Sequence, residues 1–179
     1  NIIEDSVLEI TSFPVDHSIP CCGFTFKEKP SKRSMIKSKI KELNLSIEAI
    51  KSFKNRQNFI INGNLIKYKD VTKTGYRSRS YAYCADTSYN ENILQYINDV
   101  DLLYHESTFL EDNKDKAFKT KHSTAYQAAS IALKANVKKL LLGHFSARYD
   151  QINPFLKEAQ KIFTNTTICQ DGYKHSINY

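Results

Sequence analysis

An α/β fold is predicted for this 179-residue chain by three features. Short apolar runs over 81–85, 100–104 and 137–142 alternate with stretches of helical periodicity. Two further strand-like segments precede them. Each of the three runs also stops abruptly at a residue able to ligate a metal or move a proton: Asp86, His105 with Glu106, and His144. Layered α/β folds do their chemistry at the carboxyl ends of strands, so these residues are expected along one sheet edge.

The elements follow in order. Strands are predicted over 7–11 and 23–26, flanking a loop with Asp16, His17 and Ser18. The stretch 27–79 then breaks the pattern, with fifteen Lys or Arg against four Asp or Glu, a net +11 in a chain whose total is +7. Regularity resumes with the strand over 81–85, which ends at Asp86 and Thr87. A helix near 91–97 and a strand over 100–104 come next. Thr124 with Gln127 three positions on makes a capping box. Ala125, Ala128, Ala129, Ala132 and Ala135 then recur at helical spacing. Asn136 leads into a strand over 137–142, closed by Gly143 and His144, and a last helix is predicted over 155–163. No internal repeat or low-complexity linker interrupts the chain.

A chain that is 41% hydrophobic and 25% charged fits a domain with a real core and excludes disordered and fibrous classes. The longest aliphatic run, Leu140 to Leu142, is far short of the ~20 residues of a membrane span. The first five residues show no signal-peptide pattern and no initiator Met, and the chain is read as beginning inside a longer protein. Four cysteines with no CxxC pair, two of them adjacent, make a poor disulfide framework, and a reducing cytoplasm is the expected location.

A run of lysines is ordinarily a solvated surface. Segregation of the charge into one stretch favours a polyanionic partner instead. Lys32, Arg33, Lys37, Lys51, Lys54 and Arg56 are the candidate contacts to a phosphate backbone. Phe53, Phe59 and Tyr68 are too scattered to read as stacking platforms. A lone histidine is more often structural than functional, and His175 has no companions. His17, Asp86 and His144 together offer two imidazoles and a carboxylate, a ligand set for zinc or another borderline divalent ion. A carboxylate can bridge two cations, yet three ligands cannot fill two sites. The site is either mononuclear and open or completed from elsewhere. Glu106 and His122 are the candidate proton-transfer pair, since a carboxylate that orients a histidine makes it a better acid. The competing reading is that Ser123 and Thr124 cap a helix and His122 packs beside it. Arg148 and Tyr149 suit either a phosphate contact or a loop anchor.

Five segments in order resemble the C-terminal part of the ribonuclease Z family, tRNA 3′-processing endonucleases of the metallo-β-lactamase superfamily. They are Asp16-His17-Ser18 leading to Cys22-Gly23-Phe24, then 83–87 (YCADT), 101–109 (DLLYHESTF), 122–129 (HSTAYQAA) and 140–149 (LLLGHFSARY). The resemblance implies the C-terminal half of a four-layer αβ/βα metallo-β-lactamase sandwich occupying residues 1–179, with 27–79 as an inserted tRNA-binding arm. It implies two zinc ions per complete site, manganese or magnesium being substitutes, with His17 and His144 each holding one ion and Asp86 bridging both. The implied reaction is hydrolysis of a tRNA precursor after the discriminator, leaving a tRNA 3′-hydroxyl, with Glu106 and His122 on the acid side. A homodimer of the full-length protein, one subunit's arm presenting tRNA to the other, is implied as well.

Two departures stand out. The family's HxHxDH motif is nowhere in these 179 residues, so this chain alone is expected to bind zinc poorly and cleave nothing. The Gly-Pro-rich arm motif of bacterial relatives is replaced by 44–50 (NLSIEAI). The rival expectations are another phosphodiesterase of the superfamily and a non-catalytic RNA-binding or assembly subunit.

Overall fold

Three strands open the chain in the computed structural model, which describes residues 1–178: β1 (Ile3–Glu4), β2 (Leu8–Pro14) and β3 (Cys22–Glu28). β2 and β3 pair antiparallel from Leu8 opposite Glu28 to Pro14 opposite Cys22, several residues beyond the two predicted strands. Between β3 and the next strand of this sheet the chain forms β4 (Ser34–Met35), α1 (Lys37–Glu42), α2 (Ile47–Lys54), β5 (Phe59–Ile61), β6 (Asn64–Ile66), α3 (Tyr68–Val71) and β7 (Thr72–Lys73). It then returns as β8 (Ser80–Cys84), α4 (Leu94–Ile97), β9 (Leu102–Glu106), α5 (Lys114–Thr120), α6 (Ala125–Lys134), β10 (Leu140–Gly143), α7 (Asn153–Gln160) and β11 (Thr166–Ile168).

The residues divide into two compact units, Asn1–Glu28 with Arg79–Asn178, and Lys29–Ser78. The first is built on a seven-stranded sheet in the order β1-β2-β3-β8-β9-β10-β11. The neighbours β1 to β8 are antiparallel, and β8 to β11 are parallel. Ala82, Cys84, Leu103, Leu140 and Leu142 lie on one sheet face and are buried with Ile93, Ile97, Ala128, Ile131, Ala132, Phe155 and Ala159 of the helical segments. On the other face Tyr81, Tyr83, Leu102, Tyr104 and Leu141 line a groove of about 590 Å³ with residues 169–173, His175 and Ile177.

Local chemistry explains where elements start late. The segment predicted as a helix over 91–97 begins as a 3-10 turn, Glu91–Ile93, capped by the Asn90 side chain, which accepts from the Asn92 amide at 3.0 Å. The strand predicted over 137–142 begins only at Leu140. Before it, the Val137 amide closes α6 on the Ala132 carbonyl at 3.1 Å, and the Lys138 amide reaches Val100. The capping box holds: Thr124 Oγ1 accepts from the Gln127 amide at 3.1 Å, and Gln127 Oε1 accepts from the Thr124 amide at 3.0 Å. The last helix is displaced from 155–163 to Asn153–Gln160, with a proline in its first turn. β11 carried no sequence signal strong enough to be predicted.

The second unit has a core of its own, with Ala49, Phe53 and Val71 buried against Met35, Leu45, Phe59, Ile61, Ile66 and Tyr68. Phe53 and Phe59 meet edge to face at 6.2 Å, so they are packing residues and not stacking platforms. Asn62 and Gly63 close the β5–β6 hairpin with φ of 49° and 77°, the left-handed pair such a tight turn requires. This unit begins at Lys29 and ends at Ser78, inside the predicted limits of 27–79. Lys27 sits in β3 opposite Ser80, and Arg79 forms an ion pair with Glu28, so both belong to the sheet.

Candidate metal and proton-transfer site

Three parallel strands set the site. β8, β9 and β10 are in register, Cys84 opposite His105 and Gly143 opposite Glu106, so the residues that follow emerge side by side at their carboxyl edge. Asp86 and His144 both take left-handed backbone conformations there, φ 50° and 60°. His122 arrives from the α5–α6 connection. One donor atom each from Asp86, Glu106, His122 and His144 lie within 4.8 Å of one another.

Glu106 is fully buried at the centre. Its Oε1 accepts from the Thr87 amide at 2.7 Å and from His122 Nδ1 at 2.7 Å. Its Oε2 accepts from Thr108 Oγ1 at 2.6 Å, the Ser123 amide at 3.1 Å and the Thr108 amide at 3.3 Å. Burial pushes this carboxyl up, but the hydrogen bonds from His122, Thr108 and Ser123 outweigh it and hold the group below the ordinary carboxylate range. The bond to Glu106 in turn holds His122 above the usual imidazole value, against partial burial. The Glu106 carboxylate thus stabilises the protonated form of His122 and commits its Nδ1–H, leaving Nε2 for a reacting proton.

Asp86 and His144 face each other, with His144 Nε2 3.1 Å from Asp86 Oδ1. His144 Nδ1 lies 2.8 Å from Thr108 Oγ1. His17 stands outside the four-residue group but next to it, its ring 5.1 Å from that of His122. Its Nδ1 donates to the Lys121 carbonyl at 2.9 Å. The neighbouring Asp16 anchors this loop by accepting from Ser88 Oγ and from Lys121 Nζ, contacts that hold its carboxyl low. His17, His122 and His144 therefore each engage Nδ1 within the protein and leave Nε2 uncommitted to that bond. Ligating histidines in metalloproteins are oriented in this manner. Imidazole nitrogens and the Asp86 carboxylate are donors of the kind that suit a borderline divalent cation such as zinc.

Other candidates separate cleanly. His105 does not reach the edge. It is buried in the core with Nδ1 bonded to the Glu106 carbonyl at 2.8 Å, and burial pushes it below the ordinary imidazole range. Tyr149 is a loop anchor whose hydroxyl accepts from the Leu110 amide at 3.2 Å while its ring packs on Phe155. Arg148 stacks over Phe109 at 5.1 Å. In the second unit, Lys32, Arg33, Lys37 and Lys54 line one cavity of about 540 Å³, whereas Lys51 and Arg56 lie exposed outside it. Arg33 is partly a structural cation, bonded to the Thr72 carbonyl at 3.2 Å and lying over the Tyr68 ring. The sequence reading missed Lys121, which acts through its carbonyl and its ammonium, and gave no separate role to Thr108. Nothing in residue type marks a carbonyl ligand in advance.

Over 177 residues the chain is 40% identical to "Ribonuclease Z" of Parabacteroides distasonis, covering 98% of the chain and 58% of that protein. Over 174 residues it is 44% identical to "Ribonuclease Z" of Cytophaga hutchinsonii, covering 96% of the chain and 55% of the relative. The chain matches part of ribonuclease Z. It spans little more than half the length of these curated relatives. Among solved structures, the metallo-β-lactamase fold protein YhfI from Bacillus subtilis superposes with a TM-score of 0.62 at 17% identity, over 96% of the chain and 50% of that protein. Human tRNase Z, short form, gives 0.59 at 21% identity, over 99% and 46%. The fold is the metallo-β-lactamase fold. No protein-family model matches the chain. Among the described residues, no helix is long and apolar enough to cross a membrane.

Proposed function

We propose that this chain carries the acid side and part of the metal site of a metal-dependent endoribonuclease that removes 3′ trailers from tRNA precursors. The observation that carries the reading is the buried Glu106–His122 pair set beside Asp86 and His144 on one strand edge, in a chain whose relatives are ribonucleases Z. His17, Asp86 and His144 would hold the metal, two zinc ions in the complete site. A divalent ion there lowers the pKa of water and neutralises charge on a phosphodiester.

The chain's own residues supply the rest. Glu106 fixes the His122 tautomer and raises its proton affinity, so His122 can be protonated near neutral pH and release that proton from Nε2 to a departing ribose 3′-oxygen. The second unit would grip the tRNA through Lys32, Lys37 and Lys54, with Arg33, Lys51 and Arg56 contributing longer-range attraction. A homodimeric full-length protein acting in the cytoplasm completes the proposal.

The test is cleavage of a 3′-extended tRNA precursor by the complete protein, wild type and His122→Ala, with the product ends mapped. The expected result is a cut after the discriminator, weakened ~10²–10⁴-fold in the variant, the usual contribution of a positioned acid. A folded, metal-loaded protein that leaves the precursor intact overturns the assignment.

A further inference from the structure

One hydroxyl joins the two halves of this site. Thr108 Oγ1 lies 2.6 Å from Glu106 Oε2 and 2.8 Å from His144 Nδ1, and it has a single proton to place. Every other neighbour of the Glu106 carboxylate is a donor: the amides of Thr87, Thr108 and Ser123 and the His122 ring. An ionised carboxylate only accepts, and a charge-assisted O–H···O⁻ bond outcompetes a neutral O–H···N bond. The Thr108 proton therefore belongs to Glu106. What Thr108 then shows His144 is a lone pair.

We infer that Thr108 is a positioning residue that fixes His144 as its Nδ1–H tautomer, reserving Nε2, the nitrogen facing Asp86, as a lone pair for a metal. The opposite arrangement has His144 donate from Nε2 to Asp86 Oδ1 while Thr108 donates to Nδ1. It would leave Thr108 and Glu106 oxygens at 2.6 Å with no proton between them, a closer and costlier approach of two acceptors than the 3.1 Å that the inferred tautomer leaves between His144 Nε2 and Asp86 Oδ1. Glu106 thus orients two histidines, His122 directly and His144 through one hydroxyl. The purpose of this device rests on the metal reading above; its geometry does not.

The test is a long-range ¹H–¹⁵N correlation spectrum of the complete, metal-free protein labelled with ring-¹⁵N histidine. It is recorded at about pH 9, where free imidazole is neutral, with His144 assigned by its loss in His144→Gln. Wild type and Thr108→Ser, which keeps the hydroxyl, should show His144 as the Nδ1–H tautomer. Thr108→Val, which keeps the shape and loses the hydroxyl, should show the Nε2–H tautomer donating to Asp86. Competition with a chromophoric chelator should give zinc binding weakened ~10–100-fold in Thr108→Val and much less in Thr108→Ser. An Nε2–H tautomer in the wild type overturns the inference, whether or not the valine variant folds, and so does an unchanged tautomer in a folded Thr108→Val. If the wild type shows the Nδ1–H form but binds no zinc, the inference stands and the metal reading falls.

Discussion

Replacing Glu106 by Gln keeps size and shape and exchanges one acceptor oxygen for an NH₂ among five donors. In the least costly placement, the amide oxygen takes the Oε2 position and still accepts from Thr108 and Ser123, while NH₂ faces Thr87 and His122. His122 can switch tautomer and accept. The Thr87 amide cannot, and it is left buried without a partner at a cost of about 1–3 kcal/mol. The surviving bonds also lose charge assistance, since hydrogen bonds to charged groups contribute roughly 1.5–3 kcal/mol against about 1 for neutral ones. A total near 3 kcal/mol follows for Glu106→Gln. Urea unfolding of the complete protein, followed by circular dichroism, measures it. Because the folded state holds Glu106 below its ordinary value of 4.5, its stabilisation is present above that pH and is lost as pH falls through the folded value. Because the folded state holds His122 above 6.5, its share is full below that pH and is lost as pH rises through the raised value. The gap between wild type and variant should therefore be widest between these two ordinary values, close in acid, and narrow in alkali. A gap under about 0.5 kcal/mol in that window, within the scatter of ordinary surface changes, or one that does not narrow in acid, refutes the role given to this carboxylate.

Thr124→Ala removes the cap on α6 and a hydroxyl bond to Glu111 at 2.6 Å, and should cost about 2 kcal/mol in thermal or urea unfolding. Cys84 is fully buried with its thiol pushed up to about 12, whereas Cys22 is exposed; mass spectrometry after brief alkylation should find Cys22 modified and Cys84 untouched until the protein is unfolded. Neutralising Lys32, Lys37 and Lys54 together to Gln should weaken tRNA binding most at low salt and reduce the slope of log K against log salt by roughly three, read from filter binding across a salt series; an unchanged slope would place the RNA contacts elsewhere.

The parts of the fold legible in the sequence were those with a short-range cause. The apolar runs ending at Asp86, Glu106 and His144 declared the strands and the residues that follow them, because an apolar run and an abrupt polar stop are properties of adjacent residues, whereas their parallel pairing was left to the structure. The Thr124–Gln127 box announced α6 for the same reason. The orientation of His105 was not legible. In an isolated strand either face could be core, and only the register with Cys84 and Leu142 turns His105 inward while Glu106 ends at the edge. Nor could charge counts distinguish Arg33, tied to Thr72 and Tyr68, from Lys32 and Lys37, since that difference lies in contacts made nearly forty residues away.

The left-handed backbone positions show what the site costs the fold and why those costs sit where they do. Elsewhere in the chain such turns fall mostly on residues that tolerate them through short polar side chains: Asn44, Asn62, Asp99 and Asn136. In and beside the site they fall on Asp86 and His144 at the strand edge and on Lys121 at the C-terminal end of α5. Asp86 is an easy occupant; His144 is a less easy one, and Lys121 has no chemical affinity for the conformation at all. Glycine would relieve each of them, by roughly 1 kcal/mol or more where a longer side chain is strained. Yet glycine at 144 would delete the imidazole, and at 86 the carboxylate, while at 121 it would delete the ammonium that holds Asp16. The same turn at Lys121 aims its carbonyl at His17. Strain is thus retained where a sharp turn and a particular side chain are both required at one residue, which is the condition a strand-edge site of converging ligands imposes.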